Sequence, residues 1–285
     1  MKRLLLPFCG LMLLAACGGG KSDAGENKDT LDTVVDSLAL MPEDEEDPII
    51  AQTPVPKAAD GVFYDFIASF CQNRNYQKSR VQFPLTHTIN GQAHTVSAEE
   101  WRFSKLHYNS DIYTVFFPNA KSLSLETSKK VERVSVNWYD MNSSTASKYQ
   151  FEKIDQQWML TSIDEHPVSE DSDADFVNFY SAFASDASFQ TSHLAETLTY
   201  DGVDLDNDDE FDTKMVKGKK IPASQWSEAL IPELPGKQFS NIDFGQDLTG
   251  SERMVSVECP SSGFTSRLYF RKGGDSWQLF KIENY

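Results

Sequence analysis

Apolar positions recur along the chain at two periods. Phe63, Phe66, Ile67 and Phe70 stand at i, i+3, i+4 and i+7, and Phe176, Phe179, Tyr180 and Phe183 repeat that spacing, so each set predicts a helix with one buried stripe. Both runs follow aspartates, Asp60 in the first and Asp173 or Asp175 in the second, whose carboxylates are placed to cap free N–H groups. A shorter helix is expected from Ser97, where Glu100 completes a capping box and Trp101 turns inward. The period then changes to two. Ile112 to Phe117, Val131 to Trp138, Tyr149 to Ile154 and Trp158 to Ile163 read as strands, as do Asn241 to Phe244, Arg253 to Glu258, Arg267 to Lys272 and Trp277 to Ile282. Gly273-Gly274-Asp275 is a strong hairpin signal and Asp155-Gln156-Gln157 a weaker one.

The pattern is internally repeated. The segment from Phe63 to Phe70 matches that from Phe176 to Phe183 at an offset of 113 residues, Ser97 to Trp101 answers Ala223 to Trp226, and the stretch from Phe151 to Trp158 answers Phe270 to Trp277. Two copies, spanning 58–168 and 169–285, explain the 285 residues better than one large fold. Each predicts a helix followed by an antiparallel meander that curls over it, an α+β arrangement.

These residues carry a resemblance. The Phe-x-x-Phe-x-x-x-Phe helix, the Trp-bearing second helix and the closing Trp-x-Leu-x-x-Ile strands (Trp158, Leu160, Ile163; Trp277, Leu279, Ile282) resemble the cone-shaped nuclear transport factor two-like domains. With the N-terminal features described next, the chain resembles a Bacteroidota lipoprotein family of unknown function that carries two such domains. The resemblance implies two tandem cones, each with its helices packed on a curved antiparallel sheet. It implies an envelope location and no activity. Such cones often enclose a pocket between the first helix and the curved sheet, and some relatives use an Asp or Tyr there as acid or base.

Residues 1–16 have the form of a secretory signal. Lys2 and Arg3 precede an apolar run from Leu4 to Ala16, shorter than the roughly 20 residues a membrane-spanning helix needs, and the run ends in Leu14-Ala15-Ala16-Cys17. That ending resembles the lipobox of bacterial lipoproteins, which makes Cys17 the expected lipidation site and the membrane, through that anchor, the expected partner. The expected location is the bacterial cell envelope, at the outer membrane and facing the periplasm or the cell surface. Residues 17–57 lack aromatics and hold ten carboxylates, all between Asp23 and Asp47, against Lys21, Lys28 and Lys57, reading as an acidic tether. Of the four cysteines, only Cys71 and Cys259 remain in the folded part, and their placement in different halves favours two free thiols over a bridge.

Composition narrows the function by exclusion. A net charge of -17 leaves no basic face for nucleic acid. No GxSxG, HExxH, phosphate-cradling glycine loop or GxGxxG occurs, and His87, His94, His107, His166 and His193 show no metal spacing. No cofactor is expected. Tyr64 and Asp65 are the candidate acid–base residues of the first helix. The second copy has Val177 and Asn178 there, and the plainer reading leaves Asp65 in solvent and Tyr64 at the core edge. Asp204, Asp206, Asp208 and Asp212 begin like a calcium loop, but Asp209 replaces the turn glycine and Met215 the bidentate glutamate, so a solvated acidic loop is the simpler reading. The expected function is a non-enzymatic module binding an envelope protein or a small ligand. The rivals are a hydrolase or isomerase with one active pocket in the first copy, and a calcium-stabilised adhesin-like module.

Overall fold

The computed structural model describes residues 59–204, 214–227, 230–245 and 250–285. In the N-terminal half, helices α1 (Phe63–Gln72) and α2 (Arg74–Ser79) lead into the hairpin β1 (Val81–Ile89) and β2 (Gln92–Val96). Strand β3 (Tyr113–Phe117), the single-turn helix α3 (Leu123–Glu126), β4 (Arg133–Asp140), β5 (Thr145–Ile154) and β6 (Gln157–Pro167) follow. The C-terminal half runs in a similar order: α4 (Ala174–Ser185), α5 (Ala187–Ser192), β7 (Leu194–Val203), β8 (Met215–Pro222), β9 (Gln238–Asp243), β10 (Glu252–Cys259), β11 (Phe264–Gly273) and β12 (Ser276–Asn284).

All twelve described strands join one sheet, in the order β2-β1-β6-β5-β4-β9-β3-β10-β11-β12-β7-β8. At its centre the halves interdigitate: β9 pairs with β4, β3 pairs with β10, and β3 and β9 run parallel to each other. The sheet is therefore mixed where the sequence predicts an antiparallel meander, with further parallel pairings of β1 to β6 and β12 to β7. Those two arise because each early hairpin returns beside the last strand of its own half.

Alternation along β3 assigns two cores. Val115 and Phe117 join one cluster with the α1 stripe, Val134, Val136, Phe151 and Trp158, while Phe116 joins the other with the α4 stripe, Tyr139, Phe239, Val255 and Phe270. The long helices thus cover opposite faces of one sheet. Phe63, Phe66, Ile67 and Phe70 are all buried, and each such side chain contributes about 1.5–3 kcal/mol of transfer free energy.

Local chemistry departs from expectation at the helix starts. Val62 is the N-cap of α1 and makes no side-chain cap; Asp60 instead pairs with Arg80 at 2.7 Å and accepts the Trp158 N–H at 3.1 Å. Asp173 is the N-cap of α4, yet its carboxylate is taken by Arg253, whose Nε and Nη2 donate at distances of 2.7–3.1 Å. A forked guanidinium outcompetes a backbone N–H for a buried carboxylate. The Ser97 helix is only a turn: Glu100 accepts the Ser97 N–H at 2.9 Å, but no helix follows. Both predicted hairpins form, with Asp155 and Gln156 at φ 50° and 67° and Gly274 at φ 63° supplying the left-handed turns. Cys71 and Cys259 are both free.

Candidate functional site

A cavity of about 300 Å³ lies between α1 and the sheet. Its floor is apolar, made by Ile67, Val115, Phe117 and Ile242, with Leu123 alongside. Its polar lining comes from both halves. Tyr64, His107, Tyr108, Tyr113 and Glu126 belong to the N-terminal half, and Ser256, Glu258, Thr265 and Arg267 to β10 and β11. The pairing of β3 with β10 accounts for this, because Ser256 stands opposite Val115 and Glu258 opposite Tyr113 in that ladder.

The groups are positioned by one another. Glu258 accepts hydrogen bonds from Ser256 Oγ and, at 2.8 Å, from Thr265 Oγ1, which fix its carboxylate. The Tyr108 and Tyr113 rings lie 5.2 Å apart. Burial and the carboxylate of Glu258 raise the Tyr113 hydroxyl well above its ordinary range. The buried His107 shares a hydrogen bond with Ser240 Oγ at 2.9 Å, and burial pushes it down to about 3, so it is neutral. Glu126 is pushed up to about 7, first by burial and then by the charge of Glu258, with Arg267 opposing. Arg267 divides its charge: it sits 4.0 Å from Glu283 and over the Tyr285 ring at 5.0 Å, and its Nε has no hydrogen-bond partner among the described residues.

The residues singled out in the sequence fall in different places. Tyr64 lines this cavity at half exposure, while Asp65 is exposed and outside the lining. At the matching positions of α4, Val177 is buried in the second core and Asn178 is exposed, bonded to the Ala174 carbonyl at 2.8 Å. Asp204 is engaged by Lys219 Nζ at 2.9 Å. Asp206, Asp208, Asp212 and Cys17 lie outside the described residues. Among the described residues no group of three His, Cys, Asp or Glu side chains is placed to hold a metal ion, and no helix is long and apolar enough to cross a membrane. Sequence reasoning missed Glu126, Glu258 and Arg267, which are far apart along the chain. The one available signal was the polar pair Ser256 and Glu258 on alternate positions of a strand whose intervening residues, Val255 and Val257, are apolar.

Residues 42–284 match the family model described as a domain of unknown function, DUF4348. The chain belongs to this family. Among solved structures, the DUF4348 chain is similar to an NTF2-like protein from Bacteroides fragilis NCTC 9343, with 30% identity and a TM-score of 0.68 over 81% of this chain and 99% of that one. No curated protein matches. The mixed α+β architecture, mostly strand with few helices, accords with an NTF2-like fold for this DUF4348 member.

Proposed function

We propose that this protein is a lipoprotein of the bacterial cell envelope, held at the outer membrane through Cys17, in which two copies of an NTF2-like unit, 58–168 and 169–285, serve as a binding module. The anchor rests on the basic start, the thirteen-residue apolar run and the Leu-Ala-Ala-Cys ending. The reading as two copies rests on the 113-residue offset of the aromatic stripes and on the matching order of elements in the two halves. Cys17→Ala should move the protein from the membrane fraction into a soluble pool; continued membrane partitioning would count against the anchor.

The observation that carries the binding reading is the cavity beneath α1. Its volume of about 300 Å³, apolar floor and few convergent polar groups are the usual build of a small-ligand site. Thr127 is exposed at its rim, so Thr127→Trp should obstruct the mouth without disturbing a packed residue. In a fragment screen read by thermal shift, the wild type is expected to yield hits that this variant loses. Hits that persist in the variant, or an empty screen, contradict the reading.

One observation favours a hydrolase or isomerase instead. Glu126, poised at about 7 beside a second carboxylate, has the setting of a general acid or base. Turnover of a simple ester or enolisable ketone panel that disappears in Glu126→Gln would establish it, and no turnover would leave the binding reading in place.

A further inference from the structure

Charge in the cavity is unbalanced. Two carboxylates, Glu126 and Glu258, face a single guanidinium, Arg267, which also leans toward Glu283 and Tyr285. His107 supplies no counter-charge because burial keeps it neutral. The remaining polar lining is hydroxyl, and the Ser256 and Thr265 hydroxyls are spent on Glu258. Next to the carboxylates stand the rings of Tyr64, Tyr108 and Tyr113, whose faces attract cations.

From this geometry we infer that the cavity takes a small organic ammonium, its charge between Glu126 and Glu258 and against the tyrosine faces, its apolar body on Val115, Phe117 and Ile242. The inference rests on the reading of the cavity as a ligand site and names its ligand class. An ammonium satisfies the second carboxylate, which the protein itself leaves without a cation of its own. An anion would meet the same excess negative charge and be rejected, and a neutral ligand would leave it in place. The groups facing Glu126 are Glu258 from β10, Arg267 from β11, Tyr64 from α1 and Tyr113 from β3. A bound cation favours the ionised form of Glu126, so binding and deprotonation are linked and affinity rises with pH through the neutral range.

The test is calorimetric titration of the protein with 2-phenylethylamine, 2-phenylethanol and 3-phenylpropionate at about pH 8 and about pH 6. The amine is expected to bind at least about tenfold tighter than the other two at the higher pH, and to lose about tenfold at the lower. Glu126→Gln and Glu258→Gln should each weaken the amine by about tenfold and leave the alcohol unchanged, with melting curves confirming that both variants fold. Equal or tighter binding of the alcohol or the propionate at a site blocked by Thr127→Trp overturns the ammonium assignment while the cavity remains a ligand site. Absence of binding by all three, joined to an empty fragment screen, overturns both.

Discussion

The two faces of the sheet are built from matching strands and end differently. Strand β10 begins 119 residues after β4, at Glu252 against Arg133, so Ser256 and Glu258 hold the positions of Asn137 and Tyr139. On the α1 face the glutamate borders an open cavity. On the α4 face Tyr139 is fully buried against Phe239, at 5.6 Å between rings, and its hydroxyl donates to Asp171 at 3.1 Å. Phe116, Phe176, Tyr180 and Phe239 complete that packing. At the α1 position equivalent to buried Val177 stands half-exposed Tyr64. At this matching pair of positions the same frame yields a filled core around Tyr139 and a cavity edge at Glu258. The α1 face is packed too, around Phe66, Phe151 and Trp158, but beside that core it also keeps polar groups at its cavity.

The largest expected effect comes from breaking the filled face. Phe116 belongs to a strand of the N-terminal half yet packs in the C-terminal core, 4.7 Å from Tyr180 and 4.8 Å from Phe239. Phe116→Ala should cost about 3–5 kcal/mol in denaturant unfolding. Because β3 and β9 knit the halves into one sheet, the loss should appear in a single cooperative transition. Two separated transitions, with only one shifted, would show that the faces fold independently.

A smaller effect of opposite sign is expected on the open face. The folded Glu126 titrates at about 7 against an ordinary value of 4.5, so its proton is held more tightly in the folded chain. That contribution is fully present below the unfolded value and is lost as pH rises from about 4.5 through about 7. Glu126→Gln should therefore gain stability over the wild type across that window, up to about 3 kcal/mol above it and nothing at acid pH. Chemical denaturation at several pH values checks this, and a constant difference at all of them would mean that Glu126 is solvated. Tyr139→Phe is smaller still, about 1 kcal/mol for the bond to Asp171, with the filled face otherwise unchanged.

Much of this frame was legible in the sequence. The two aromatic stripes became α1 and α4, and the eight period-two runs became β3 to β6 and β9 to β12, most of them longer by a few residues. The hairpins β1-β2 and β7-β8 carried little pattern because they lie at the sheet edges. Gln92 to Thr95 are all exposed, and β8 buries only Ile221, so no alternation marks them. Asn90-Gly91 was a hairpin signal, with both residues at positive φ, but Pro84 and the polar strand beyond it obscured its context. Of the candidate site, only Tyr64 was visible. Asp65 shares its helix but points away from the lining set, and Glu126, Glu258 and Arg267 meet only because β3 and β9 trade places between the halves. Strand exchange of that kind leaves no mark on local periodicity.

The central claim is that one face binds and the other only packs. Ring-labelled tyrosine spectra followed during titration with 2-phenylethylamine test it most directly. Shifts at Tyr64, Tyr108 and Tyr113 with Tyr139 and Tyr180 unmoved are the predicted result; shifts centred on Tyr139 and Tyr180, or none at the first three, would contradict it.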